Sequence, residues 1–374
     1  MPPAPVPYRE PLFATLAGRL DLHVIYQSAA QPSWDVDAAW FPADHPYPAS
    51  HLRARQHRRP GRTPIVWSRG LERALSTAEP DCVVVSEYGP ASLRSLAWCR
   101  RRSRAYVIFT ECTAQIDSML GPAQLRLHRT LARHADGLIA VSSQARERLL
   151  SFGVHPERIA IALQSADLAP VRAAAAARAV QTDAVDPDRP LTVLSVARLV
   201  PDKNLGALIR AFALAGLTPA QARLEIVGTG FLEDDLRRLA DQHGVPVRFH
   251  GALAPTELPR LYAAADVYAA VSTYEPFGVS IREATAAGLP ILTGRRAGAV
   301  GDVAIGDRNA ILVDPAHTQE IADALARLVR DADLRLRLGA ESLAIDAATD
   351  GGDADAFAGA VLAAALRRGR ASAL

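Results

Sequence analysis

Cysteine is nearly absent from this chain: among 374 residues only Cys82, Cys99 and Cys112 occur. Their odd number argues against a disulfide framework, and separations of 17 and 13 fit no zinc-ligand spacing, so neither disulfides nor a structural metal is expected to hold the fold. Aromatic residues are sparse, at 6%, and none interleaves with the basic stretches, which speaks against nucleic acid as a partner. No apolar run reaches the roughly 18 residues that a membrane-spanning helix needs. The start, Met1-Pro-Pro-Ala-Pro-Val-Pro, lacks the apolar core of a secretory signal peptide, so the expected location is the cytoplasm. Charge of one sign is not in excess either, the formal net charge being +2, yet the arginines cluster. Arg53, Arg55, Arg58, Arg59 and Arg62 form one group, and Arg94, Arg100, Arg101, Arg102 and Arg104 another. Solvated faces are the better reading of such groups, with an anionic membrane surface or an acidic acceptor as the alternative.

Hydrophobic residues make up 49% of the chain, enough for two domains, each with its own core. Repeats of 20–50 residues are absent. Apolar runs of strand length alternate with helical patterns throughout. In the first half, strand-like runs lie at 20–27, 82–86, 105–110, 137–141 and 158–163, with helical patterns at 92–101 and 124–134. A second series places strands at 191–197, 223–227, 247–250, 266–272 and 289–292, and helices at 204–215, 233–242, 256–264 and 279–288. This alternation predicts an α/β fold of two doubly wound parallel sheets. The expected boundaries are an N-terminal Rossmann-like domain at 1–168, a linker at 169–190 whose part from Val171 onward also reads as helical, a C-terminal Rossmann-like domain at 191–345, and a terminal helix within 346–374 that returns to the first domain. Ligands of open α/β sheets bind at the carboxyl ends of the strands, so the site is expected in a cleft between two such edges.

Three segments carry chemistry. Glu275 and Glu283 stand eight positions apart in Glu-Pro-Phe-Gly-Val-Ser-Ile-Arg-Glu, where a buried strand hands over to a helix. Free N–H groups and the positive end of a helix dipole at such a turn receive anions, so a phosphate fits beside Gly278. Arg198 and Lys203 lie five apart in a Pro-containing turn after a strand. They read equally as a salt-bridging pair or as two cations aimed at one anion. Gly228-Thr229-Gly230 lacks the third glycine of a dinucleotide fingerprint and reads best as a plain strand-to-helix turn.

In order, Arg198-x4-Lys203, Val227-Gly228-Thr-Gly230, Val247-Arg-Phe-His250-Gly251, Tyr262-Ala-Ala-Ala-Asp266, Ser272-Thr-Tyr-Glu275-Pro-Phe-Gly278 through Glu283-Ala284, and Ala287-Gly288-Leu-Pro290 resemble the retaining GT-B glycosyltransferases of family four. The resemblance is strong over 191–328 and looser over 140–167. It implies a retaining, metal-independent hexosyltransferase with a UDP- or GDP-sugar donor and no cofactor. The acceptor would be a glycan, a lipid-linked group or a small molecule. Arg198 and Lys203 would neutralise the diphosphate. The N–H groups of Phe277, Gly278 and Val279 would bind phosphate and sugar, Glu275 the sugar hydroxyls, and Glu283 the ribose. The base would lie near Gly230 and residues 249–251, including His250.

The chain departs from the family in three places. Glu111 stands where many relatives carry a histidine; it is read either as a cap or salt-bridge partner, or as a group holding sugar or acceptor. The loop 294–301 lacks the usual glutamate. Residues 5–13 resemble the loop that follows a first strand, but Met1-Pro-Pro-Ala cannot form one, because proline removes ladder donors. The first β-strand of the N-terminal domain is therefore expected to be missing and the true start to lie upstream. Trp34, Trp40, Phe41 and Tyr47 either stack on a sugar or pack a long loop, packing being the better reading. Two rival functions share the architecture: a nucleotide-sugar epimerase or hydrolase, and a degenerate nucleotide-sugar-binding subunit.

Overall fold

Two hydrophobic cores organise the chain, and its residues divide into two units, Met1–Ser165 with Gly351–Leu374, and Ala166–Asp350. The computed structural model describes residues 1–29, 41–57, 65–180 and 189–369; Trp34, Trp40, Arg58, Arg59 and Arg62 lie outside them.

The first unit contains strands β1 (Val24–Tyr26), β2 (Ala49–His51), β3 (Arg53–His57), β4 (Ile65–Arg69), β5 (Cys82–Ser86), β6 (Ala105–Thr110), β7 (Gly137–Ala140) and β8 (Ile159–Ile161). Its main sheet is parallel in the order β5-β6-β7-β8. Every residue of β6 and β7 is buried, which is why these strands read as unbroken apolar runs and not as alternating ones: helices cover both faces. β1 and β2 form a short parallel pair, and β3 and β4 an antiparallel ribbon. Residues 1–6 form no strand. Instead their backbone runs between β1 and β5: Gln27 and Ser28 donate to the carbonyls of Pro2 and Pro3, and the Met1 amino nitrogen lies 2.6 Å from the Val84 carbonyl oxygen. The prolines use only their carbonyls there, as residues without an N–H must. Phe41 and Tyr47 are buried, and the Tyr47 hydroxyl donates to Glu10 at 2.6 Å. The helix Gly352–Arg367 belongs to this unit: Asp353 accepts the Leu163 N–H at 2.9 Å and Arg368 pairs with Asp136 at 2.8 Å.

The second unit holds β9 (Leu191–Val196), β10 (Ala222–Val227), β11 (Val247–Phe249), β12 (Val267–Ala270), β13 (Ile291–Gly294) and β14 (Ala310–Val313). All pairings are parallel, in the order β11-β10-β9-β12-β13-β14. Counted from β9 this is 3-2-1-4-5-6, the doubly wound order, whose topological switch lies between β9 and β12. Leu205, Leu208, Ile209 and Phe212 pack the helix Leu205–Leu214 onto this sheet, as their spacing implies. Residues 169–190 open with the helix Ala169–Val180, in keeping with the helical reading from Val171 onward, and it packs on the helix Leu258–Ala264.

Asp266, just before β12, is the polar knot of this unit. Its carboxylate takes both nitrogens of the Arg189 fork at 2.8 and 2.6 Å and the Thr192 N–H at 2.7 Å, with Arg178 at 3.6 Å. Removing it takes the carboxylate from two guanidinium groups, which keep only backbone carbonyls such as Ala263 and Pro190, and leaves the Thr192 N–H without its acceptor. Asp266→Ala is expected to lower unfolding free energy by about 2–3 kcal/mol, read from the urea midpoint at constant m-value; a shift within ±0.5 kcal/mol of zero, the range of inert surface changes, would reject the knot.

Candidate functional site

The loops leaving β9 and β12 meet at the switch. After β9 the chain passes Arg198 into a single turn of 3-10 helix, Pro201–Lys203, which Asn204 ends in a left-handed conformation at φ 55°. The Asn204 side chain then donates to the carbonyls of Val271, at the end of the β12 side, and Pro315, at 3.1 and 2.8 Å. The Thr273 N–H donates to the Asp202 carbonyl at 2.9 Å, tying the two loops together a second time. Held in this way, Lys203 Nζ sits 2.6 Å from Glu275 Oε2, and Ser272 donates to the same oxygen at 3.3 Å. Both side chains are largely withdrawn from water, 15% and 13% exposed. An ammonium has three donors, so this pairing leaves Lys203 two for another acceptor. Arg198 is exposed, and its side chain has no partner among the described residues.

Beyond Glu275 the backbone turns into the helix Val279–Ala286 through Gly278, at φ 103°. A side chain there would be strained by that φ and would place a Cβ 2.7 Å from Ile281 Cδ1, so local packing already requires glycine. The N–H groups of Phe277, Gly278 and Val279 make no backbone hydrogen bond among the described residues. They form a row of donors at a helix N-terminus, suited to an anion. Gly298, from the loop after β13, fixes that row from behind: its N–H donates to the Glu275 carbonyl and the Ala299 N–H to the Phe277 carbonyl, each at 2.9 Å. A Cβ on Gly298 would fall 1.8 Å from the Pro276 carbonyl oxygen.

Glu283 lies one turn into the same helix and accepts the Tyr262 hydroxyl at 2.6 Å. Burial pushes its carboxyl up from 4.5 to about 7; the Tyr262 hydrogen bond acts against the rise and the Asp167 carboxylate adds to it. Gly230 lies against the first loop, where a Cβ would meet the Leu199 carbonyl oxygen at 2.4 Å, so its identity too follows from backbone packing. The His250 imidazole is turned to Glu225, at 2.9 Å, and both side chains are buried. Its ring is thus engaged inside the sheet, near the edge strand β11. Glu111 belongs to the first unit, at the carboxyl end of β6. Its N–H donates to Glu87 at 2.6 Å and its carboxylate lies 3.7 Å from Arg9.

The structure therefore brings Lys203, Glu275 and the donors of Phe277, Gly278 and Val279 together, puts Glu283 behind them on the same helix, and engages His250 elsewhere. Sequence reasoning gave Asn204, Ser272, Tyr262 and Gly298 no role. Asn204 carried one signal, since asparagine adopts the left-handed conformation more readily than other non-glycine residues. Gly298 carried none, because its reason is a carbonyl 22 positions away. Among the described residues no group of three His, Cys, Asp or Glu could hold a metal ion, and no helix is long and apolar enough to cross a membrane.

Known proteins resemble this chain in both halves. Residues 181–343 match the family profile of the glycosyl transferases group 1, and residues 5–164 that of the glycosyl transferase 4-like domain. A GDP-mannose-dependent alpha-(1-6)-phosphatidylinositol monomannoside mannosyltransferase of Mycobacterium tuberculosis is 36% identical over 162 residues, covering 41% of this chain and 42% of that protein. A D-inositol 3-phosphate glycosyltransferase of Corynebacterium glutamicum is 30% identical over 225 residues, covering 57% and 53%. The matches thus span about half or less of these curated relatives. The crystal structure of Anabaena HepE in complex with UDP and glucose shares the fold with a TM-score of 0.70 at 20% identity, over 92% of this chain and 94% of that one. WaaG, a glycosyltransferase of lipopolysaccharide biosynthesis, does so with a TM-score of 0.67 at 18% identity, over 96% and 97%.

The raised Glu283 carboxyl has a consequence for stability. A folded-state value of about 7 against 4.5 means that the native state keeps a proton which the unfolded chain releases, so stability falls as pH rises from 4.5 to 7 and stays lower above it. Glu283→Gln, which keeps an acceptor for Tyr262, is expected to be more stable than the parent above that window by about 3 kcal/mol and to match it below. Urea titrations across the window measure this; parallel pH profiles would contradict it.

Proposed function

We propose, from the premise that the chain belongs to the group 1 glycosyl transferases of GT-B fold, that it moves a hexose-type sugar from a nucleoside-diphosphate sugar to an acceptor hydroxyl with retention of anomeric configuration and without a metal. The observation that carries the reading is the ion pair of Lys203 and Glu275 beside the open N–H groups of residues 277–279, at the switch point of a doubly wound sheet. A cation with donors to spare, a helix N-terminus and two carboxylates suit a diphosphate flanked by two polyols.

In this reading Lys203 and Arg198 stabilise the negative charge that develops on the leaving diphosphate, and the N–H row of Phe277, Gly278 and Val279 holds the phosphates. Glu275 accepts from sugar hydroxyls and, through its contact with Lys203, orients that ammonium toward the phosphate. Glu283 accepts from the ribose hydroxyls. The acceptor attacks the face from which the phosphate departs, and a phosphate oxygen takes the acceptor's proton, so no separate protein base is required at the anomeric carbon. Gly230 and the backbone of residues 249–251 line the base; the engaged His250 ring contributes structure.

The mycobacterial relative's name pairs GDP-mannose with a phosphatidylinositol-linked acceptor, and the Anabaena structure holds UDP with glucose. Both support a nucleotide-sugar donor, of uridine or guanosine type, and a glycan, lipid-linked or small-molecule acceptor. A lipid-linked acceptor would bring the protein to the inner face of a membrane as a peripheral partner.

Thermal-shift titration with UDP, GDP and their sugar conjugates, with and without chelator, is expected to select one base and to be indifferent to chelator, since a ligand that binds only the native state raises the midpoint by mass action. Lys203→Ala and Glu275→Ala are each expected to reduce transfer by at least about 100-fold while retaining a cooperative unfolding transition; near-normal turnover in both would refute the site. Product analysis without acceptor separates transfer from hydrolysis and epimerisation. Because the diphosphate of an intact nucleotide sugar does not titrate near neutrality, its affinity is expected to rise with pH as Glu283 ionises at about 7, and Glu283→Gln to flatten the profile. An unchanged slope would remove Glu283 from the ribose site.

A further inference from the structure

After β10 the chain passes through Gly228-Thr229-Gly230 and bends outward at Phe231 before the helix Glu233–His243. One buried residue of the neighbouring loop holds that bend at both ends: the Leu199 N–H donates to the Thr229 carbonyl at 2.8 Å, and the Leu199 carbonyl accepts the Leu232 N–H at 3.2 Å. A third bond, from the Gly228 N–H to the Gly251 carbonyl at 2.9 Å, ties the segment to the loop after β11. Leu232 packs on the core of the second unit, whereas Phe231 is 73% exposed. Among the described residues its ring meets no other ring and no cation, and every other aromatic residue of this unit is buried or half-buried. Phe249, at the end of β11, has the Arg237 guanidinium 4.5 Å from its ring centroid, so one of its faces is already taken. A lone exposed apolar side chain is ordinary on a protein surface. This one stands on a backbone bound on both sides, at the carboxyl edge of the sheet, next to the glycine that presses on the loop carrying Arg198.

We propose that Phe231 is the stacking partner of the donor's base and that it selects guanine over uracil. The inference rests on the donor reading above and adds to it a residue and a base. Arg198 and Phe231 stand on adjoining loops, one offering a cation and the other an open π-face, as a phosphate joined to a base requires. The backbone of residues 249–251 offers hydrogen bonds to a base's edge but nothing to its face, which calls for a flat apolar partner. Every base has a π-face, so stacking by itself admits uracil too. The two fused rings of guanine overlap a phenyl ring over a larger area than the single ring of uracil and take more apolar surface out of water, so the same phenyl favours the purine. Because the bend is pinned before any ligand arrives, little ordering of the backbone opposes that gain. A protein partner would need far more contact area than one ring supplies, so the base is the better match.

Isothermal titration of the full chain with GDP, UDP and inorganic pyrophosphate, the last carrying phosphates without a base, tests this. The parent is expected to bind GDP more tightly than UDP. Phe231→Ala should weaken GDP toward the upper end of the roughly 5- to 150-fold that loss of one stacking partner costs, weaken UDP toward the lower end, and leave pyrophosphate unchanged. Phe231→Leu, which keeps apolar bulk without a π-face, should behave like the alanine variant, and Phe231→Trp should restore GDP binding. Since the ring is exposed, all three variants should unfold at the parent's urea midpoint; a ring that served the fold alone would shift the midpoint and spare the nucleotides. Undiminished GDP binding by Phe231→Ala, equal losses for GDP and UDP, tighter binding of UDP by the parent, or loss of pyrophosphate in step with GDP would each overturn the proposal. A parent that binds neither nucleotide would bring down the donor reading as well, whereas a parent that binds them and a Phe231→Ala variant that binds them equally well would bring down this inference alone.

Discussion

The second unit depends on how its sheet reverses direction between β9 and β12. Neighbouring strands there send their connections to opposite sides, which leaves two loops free to diverge over the carboxyl edge. Asn204 and Thr273 prevent the divergence by bonding one loop to the other, and the Lys203–Glu275 pair is the chemical product of that closure. A lysine on one loop and a carboxylate on the other, 72 positions apart, become neighbours only because the strand order places β12 beside β9.

Glycines around this point owe their identity to protein packing as much as to any ligand. Gly230 presses on Leu199, Gly298 on Pro276, and Gly278 combines a left-handed backbone with contact to Ile281. At Gly230 and Gly298 one loop's backbone lies against another's, and at Gly278 the left-handed backbone itself requires glycine. The carboxylates differ in surroundings: Glu275 meets the Lys203 ammonium, while Glu283 is buried beside Tyr262 and near Asp167, which pushes its carboxyl toward neutrality.

Much of this was legible in the residues. The strand-like runs at 82–86 and 105–110 coincide with β5 and β6, the second because a parallel strand buried on both faces must be apolar throughout. The helix starting at Val279 and the turn before it followed from Pro276 and Gly278. The ribbon of β3 and β4 was not visible as strands, since its outer face carries arginines where a period-two apolar pattern is sought. Nor was β14, a four-residue strand whose burial depends on β13. The helix inside 169–190 was legible from Val171 onward in its alanine and arginine run, but its packing on a neighbouring helix was not.

By itself the sequence determined the α/β class and the two doubly wound halves, because periodicity and local turn chemistry are written within a few neighbouring positions, and the order of its motifs carried the resemblance to the family. Only the tertiary structure decided that Lys203 meets Glu275, that the His250 ring turns to Glu225 inside the sheet, that Gly298 braces the anion-binding turn, and that Arg53 faces Arg69. Those outcomes depend on strand order and register, which join positions far apart in the chain and leave no local mark on either partner.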